Sequence, residues 1–307
     1  MHPSRTLGEK LAPIPYLLPA VISIAVLSFL PIGYTIYYSF TNYSGQHLFK
    51  YNWVGLQNYL QLITGPSSNA FFPILAWTVV FAVLSVVTQY TMGLGLAVLL
   101  SNKHMKERNL YRALLILPWA LPATIMIMSF KALFNASYGQ VNYVLARVLE
   151  VGPFPWLDAP AWARLTVLLV NLWFGFPWFM TVLLGGLQSI PNELYEAAEI
   201  DGASRWEQFR QITLPILWSV SLPVVVASAA FNFNNFGAAY LLTNGGPPRT
   251  TATWGGYTDI LASVTFKLTH DSYLYGLASA LSVLLFLLVA GFSLVNLKLT
   301  RAFEEME

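Results

Sequence analysis

The chain has 307 residues, of which 56% are hydrophobic and only 10% charged, with a formal net charge of +2, whereas a soluble domain carries roughly 25% charged residues. This is the composition of an integral membrane protein, and so small and scattered a charge gives no basis for nucleic-acid binding. The lack of cysteine excludes disulfides, thiolate catalysis and cysteine-ligated metal.

Six apolar stretches, at about 14–41, 72–101, 111–134, 163–187, 215–239 and 274–297, reach the roughly 20 helical residues that a hydrocarbon core demands. The first follows Arg5 and Lys10 as a signal peptide would, but its length predicts an uncleaved span. An even number of spans places both termini on one side, and lysine and arginine choose that side. The termini share it with Arg5, Lys10, Lys103, Lys106, Arg108, Arg112, Arg205, Arg210, Lys298 and Arg301; opposite lie Lys50, Lys131, Arg147, Arg164, Arg249 and Lys267. The richer set predicts cytoplasmic termini. The expected layout is a tail over 1–13, a six-span all-α membrane domain over 14–297 and a tail over 298–307, with a surface helix near Gln140 to Leu149. Pro19, Pro31, Pro118, Pro122, Pro177 and Pro223 remove backbone donors at or near membrane depth and predict kinks, as a bundle enclosing a cavity requires.

Between the fourth and fifth spans, residues 189–213 form a charged island in a chain otherwise nearly free of charge. Ser189, Pro191 and Glu193 read as a helix start, and Asp201-Gly202 reads as its stop. Ser204 and Glu207 have capping-box spacing, predicting a second short helix to about Ile212, with Leu214-Pro215 opening the next span. Ala197 and Ala198 permit close approach. The two short helices thus form a knob for a cleft in a partner. Alternatively, the island is an amphipathic linker lying on lipid headgroups.

Every Asp and Glu lies outside the six stretches, as do His2, His47, His104 and His270, which disfavours ion coupling through intramembrane titratable groups. No triad, metal cluster or paired carboxylate falls at membrane depth, so an intramembrane enzyme is disfavoured too. No G-x-x-x-x-G-K-[ST] loop is present, so if ATP drives transport a separate subunit must supply it. In the fourth span Asn171, Gly175 and Trp178 fall at i, i+4 and i+7, on one helix face; in the fifth Ser228, Asn232 and Asn235 repeat the spacing beside Phe231. Amides donate to and accept from sugar hydroxyls, and rings cover apolar sugar faces. With no cation on either face, these residues suit a neutral polyhydroxylated solute. The competing reading is that they only tie helices together.

The island's Glu196-Ala197-Ala198, Gly202, Ile212, Leu214 and Pro215 resemble the signature cytoplasmic loop of membrane subunits in binding-protein-dependent ATP-driven importers. From about residue 110 onward the chain resembles the maltose/maltodextrin type of permease (MalF type), through Arg112 to Pro118, Val170-Asn171-Leu172-Trp173, Phe231 to Phe236, Leu241 to Pro247, Gly256-Tyr257-Thr258-Asp259 and Val295 to Lys298. The resemblance implies a type I importer permease fold, six transmembrane helices with a cytoplasmic coupling-helix loop, in a bacterial or archaeal inner membrane. It implies a related second permease subunit, a dimer of ATP-binding subunits that hold ATP and Mg, and an extracytoplasmic sugar-binding protein, with no cofactor in this chain. Glu196, Ala197, Ala198, Asp201 and Gly202 would couple to the ATPase. Trp119, Asn171, Phe174, Gly175, Trp178, Ser228, Phe231, Asn232 and Asn235 would contact a maltose- or maltodextrin-like sugar. Larger members carry a folded outer domain where this chain offers only residues 42–70, so capture of the binding protein by such a domain is not expected. Trehalose, another disaccharide or a glycerol phosphate-type solute are alternatives within the class, and a stand-alone carrier or channel is the alternative outside it.

Overall fold

The computed structural model describes residues 14–102, 104–250 and 254–299. The expected N-terminal tail 1–13, with His2, Arg5 and Lys10, lies outside them, as do Lys103 and residues 300–307 of the expected C-terminal tail. In chain order the helices are α1 (Ile14–Ile24), α2 (Leu30–Ser39), α3 (Gln57–Ile63), α4 (Ser68–Ser101), α5 (Arg108–Ala120), α6 (Ala123–Leu133), α7 (Gln140–Val148), α8 (Pro160–Ser189), α9 (Asn192–Ile200), α10 (Arg205–Gln208), α11 (Leu214–Asn234), α12 (Gly237–Thr243), α13 (Leu261–His270) and α14 (Tyr275–Leu299).

Each of the six apolar stretches becomes helix. Five are long and apolar enough to cross a membrane unaided, and the sixth crosses only if α5 and α6 count as one span. The stretch over 111–134 is a bent pair of helices and not one continuous helix, with the kink expected there falling at Pro122: α5 and α6 meet at 94°. The residue before a proline is driven out of the α region, and Leu121, before Pro122, is extended at φ −104° and ψ 139°. The kinks expected elsewhere take other forms. Pro177 and Pro223 lie inside the uninterrupted α8 and α11. Short π-helical segments, Ala25–Phe29 and Phe209–Thr213, each end two residues before a proline, Pro31 and Pro215. A proline ring collides with the carbonyl four residues back, and a widened turn takes up that misfit without breaking the helix.

The chain divides into two compact units. In the first, residues up to 65 with 265–286, aromatic residues pack around the end of α2: Tyr38 stacks on Tyr43 at 4.6 Å and Phe40 on Trp53 at 5.2 Å between ring centroids. Asn58 Nδ2 donates to the Ser39 and Thr41 carbonyls at 2.9 and 2.8 Å, satisfying backbone acceptors that the helix end leaves open. The Gly45 amide donates to Tyr273 O and the Gly276 amide to Tyr43 O, closing the loop after α2 onto the turn between α13 and α14.

The second unit, 66–264 with the chain beyond 286, is organised by α4 against α8. At Gly93 an added Cβ would lie 2.6 Å from Phe179 Cβ and 2.7 Å from the Met180 amide nitrogen. Only glycine lets the two helices approach that closely, the usual means of helix association where lipid removes any hydrophobic drive. One apolar cluster, including Trp77, Phe81, Val167, Ala239 and Ile260, joins α4 and α8 to α12. A second, including Val86, Phe179, Leu183 and Leu217, joins them to α11.

Candidate functional site

Residues of α4, α8, α11 and α12 line a cavity of about 520 Å³, within the usual size of small-molecule sites. Its lining includes all nine residues expected to contact solute: Trp119, Asn171, Phe174, Gly175, Trp178, Ser228, Phe231, Asn232 and Asn235. It also includes Gln89 and the small or apolar Ala123, Ile127, Ala227 and Ala238, and no charged side chain. The break at Leu121-Pro122 puts Trp119 at the end of α5, where its indole N–H donates to the Phe174 carbonyl at 3.1 Å and its ring stands 5.9 Å from that of Trp178.

The polar wall is a connected network. Asn171 Nδ2 donates to Ser85 Oγ and to Asn232 Oδ1, both at 2.8 Å. Asn171 Oδ1 accepts from Asn235 Nδ2 at 3.1 Å, and Asn232 Nδ2 donates to Ser228 O at 2.8 Å. Gln89 Nε2 donates to the Asn171 carbonyl at 3.0 Å. Asn171 and Asn232 are each 2% exposed. The amides therefore tie α4, α8 and α11 together, as the competing reading requires, while lining the cavity as the sugar reading requires. Asn235 is not on the helical face that its spacing suggested: it follows the last residue of α11 at φ −80° and ψ 78°, and the chain turn carries it in. Ser85 and Gln89 were missed from sequence, although their i, i+4 spacing on α4 is the same signal that marked Asn171 and Gly175.

The island forms the expected knob with altered boundaries. Ser189 is not a helix start; its hydroxyl donates back to Gly186 O at 2.8 Å, at the end of α8, and Pro191 stands at the N-cap of α9. Gly202 stops α9 at φ +82°, a conformation that glycine adopts freely. Ser204 and Glu207 form the capping box. The second helix does not end near Ile212, however, and Leu214-Pro215 opens no separate run: α10 continues through the π-helical segment into α11. The expected edge of the loop at 213 is thus no structural boundary. Tyr195 OH pairs with Thr213 Oγ1 at 2.8 Å, pinning α9 to that segment. No residue of α9 is buried; Glu196, Ala197, Asp201 and Gly202 are exposed and Ala198 is half-buried.

The motif Leu241 to Pro247 with Gly256 to Asp259 closes on itself. The Asp259 carboxylate, fully buried, accepts from the Gly256 amide at 2.6 Å and from Ser263 Oγ at 2.7 Å. Gly245 has φ +75°, and an added Cβ there would run into that carboxylate. Thr258 Oγ1 donates to Gly246 O at 2.7 Å, and Arg249 Nε to Gly256 O at 3.0 Å. Burial lowers the pKa of the Arg249 guanidinium below its usual range, with Tyr257 and Asp259 opposing the shift. Among the described residues, no group of three or more His, Asp or Glu is placed to hold a metal ion.

An uncharged cavity inside a bundle of membrane-length helices, with an exposed helical knob between two spans, is the architecture of a multi-pass membrane protein. The same fold is found in a chain of a bacterial alginate ABC transporter, solved in complex with alginate pentasaccharide-bound periplasmic protein, which superposes with a TM-score of 0.80 over 97% of this chain and 98% of its own, at 20% identity. The chain belongs to the family of binding-protein-dependent transport system inner membrane components, whose pattern it matches over residues 89–300. It is thus a non-catalytic inner-membrane subunit of a binding-protein-dependent transport system. Among its relatives is the galactooligosaccharides transport system permease protein GanP of Bacillus subtilis, 39% identical over 94% of this chain and 69% of GanP. Another is the maltose/maltodextrin transport system permease protein MalF of Salmonella typhimurium, 44% identical over 81% of this chain and 49% of MalF. The match thus takes in about half the length of MalF.

Proposed function

We propose that this chain is one of two related permease subunits of an ATP-driven importer, and that a neutral oligosaccharide crosses the membrane through the cavity between α4, α8 and α11. The observation that carries this reading is the composition of the cavity wall, which combines side-chain amides and the Ser228 hydroxyl with the rings of Trp119, Phe174, Trp178 and Phe231 and carries no charge. Amides satisfy sugar hydroxyls in both directions, and rings cover the apolar faces that those hydroxyls leave bare. An anionic solute would meet no counter-charge. Energy comes from a dimer of ATP-binding subunits on the cytoplasmic side, which hold ATP and Mg and grip the knob at Glu196, Ala197, Ala198, Asp201 and Gly202. An extracytoplasmic binding protein delivers the sugar, and both termini are cytoplasmic.

The MalF similarity supports a malto-oligosaccharide as the substrate. A galacto-oligosaccharide is the second reading, favoured by the GanP similarity, which extends over 94% of the chain. The test is ATP-dependent uptake of radiolabelled maltose, maltotriose and galactobiose by the complete complex in proteoliposomes. Uptake of either sugar class, stopped by omitting ATP or the binding protein, is the expected result. Uphill accumulation by this polypeptide alone would refute the proposal.

A further inference from the structure

Gln89 carries the one side-chain amide in the middle of α4, and although only 4% exposed it lines the cavity. Its Nε2 is committed to the Asn171 carbonyl at 3.0 Å, which fixes the orientation of the amide. Its Oε1 accepts no hydrogen bond from the described residues, yet it is not among the buried atoms sealed off without a partner, so it meets the open volume of the cavity. Two other amide oxygens in the network are occupied, Asn171 Oδ1 by Asn235 and Asn232 Oδ1 by Asn171.

Gly175 explains how Gln89 comes to lie there. An added Cβ at Gly175 would collide with Cδ, Nε2 and Oε1 of Gln89 and with nothing else among its nearest neighbours. The amide therefore lies across one turn of α8, bonded to the carbonyl of Asn171 and resting on the bare backbone of Gly175. A buried polar side chain held at one end and left with a free acceptor at the other is arranged to receive a donor that enters the cavity.

We propose that Gln89 is a substrate-positioning residue, that its Oε1 accepts a hydrogen bond from one hydroxyl of the transported sugar, and that Gly175 acts by seating Gln89 rather than by touching the sugar. The inference rests on the sugar reading of the cavity. It predicts discrimination at a single hydroxyl position. In proteoliposomes bearing the complete complex and one binding protein, initial uptake of maltose is compared with uptake of each monodeoxy maltose. The wild type disfavours one analogue, and Gln89→Leu, which keeps the volume and removes the acceptor, shrinks that particular ratio by about tenfold, the value of one hydrogen bond of about 1.4 kcal/mol. The binding protein is common to both arms, so its own selectivity cancels.

A second measurement is independent of analogue chemistry. Gly175→Ala and Gln89→Ala should each depress uptake per assembled complex, and the double variant should be no worse than Gln89→Ala alone, because the new methyl group acts only on a side chain that is then absent. Unchanged deoxy-sugar ratios in Gln89→Leu, or a double variant in which the two losses multiply, overturns the proposal while leaving the importer reading intact. A wild-type complex that moves neither maltose nor galactobiose overturns the sugar reading and this inference with it.

Discussion

Asn171 has two separable duties, and replacing it by leucine should disturb both. Its side chain makes three hydrogen bonds, at 2.8 Å to Ser85, 2.8 Å to Asn232 and 3.1 Å from Asn235. Interhelical hydrogen bonds within membrane bundles are worth about 0.6 kcal/mol each, so the three together amount to about 2 kcal/mol. Part of that loss falls on Ser85, which is fully buried and, its bond to Asn171 gone, has no route to water. Asn235→Ala removes one of the three bonds and should cost only about 0.6 kcal/mol, because Asn235 is half-buried beside the cavity. The assay pairs the thermal aggregation midpoint of the purified complex with initial sugar uptake per assembled complex. Asn171→Leu should lower midpoint and uptake together. Asn235→Ala should leave the midpoint close to wild type while uptake falls about tenfold, if its amide serves the sugar by one hydrogen bond of ordinary strength. Equal loss of midpoint in the two variants, with normal uptake in both, would show that the amides are only ties between helices.

Three further outcomes are expected. Glu196→Ala, on the exposed face of α9, should leave a membrane-inserted complex that hydrolyses ATP without moving sugar; undiminished uptake would remove the knob from the mechanism. Gly245→Ala should cut the yield of assembled complex sharply, since it forces a Cβ onto the Asp259 carboxylate at a positive φ, where overpacking alone costs about 1–3 kcal/mol; wild-type yield would contradict the geometry. Trp178→Ala should reduce uptake about tenfold, with Trp178→Phe intermediate, because a stacked ring is worth about 1 kcal/mol beyond the area it buries; equal uptake by both variants would count against a stacking role.

Much of the architecture is local and therefore legible in the chain. Helix length follows from runs of apolar residues, the break after α5 from Pro122, and the capping box from Ser204 and Glu207. The i, i+4 and i+7 spacing put Asn171, Gly175 and Trp178 on one surface of one helix, which the cavity lining matches. Ser189 shows where local reading fails. The same Ser-Ile-Pro sequence serves a helix end as well as a helix start, and the outcome depends on α8 running on to residue 189. The second island helix fails for a related reason: Pro215 predicts an interruption, and a π-helical turn absorbs it instead.

The sequence by itself determined that this is a membrane protein of six apolar segments with a charged knob and two polar helix faces, because those properties depend on composition and on spacings of a few residues. Only the tertiary structure decided which faces meet. Asn171 finds its partners 61 and 86 residues away, and the close approach of α4 to α8 at Gly93 brings Gln89 over Gly175. Hydrogen bonds and steric seats between helices depend on helix crossing and rotation, which no periodicity within one helix encodes.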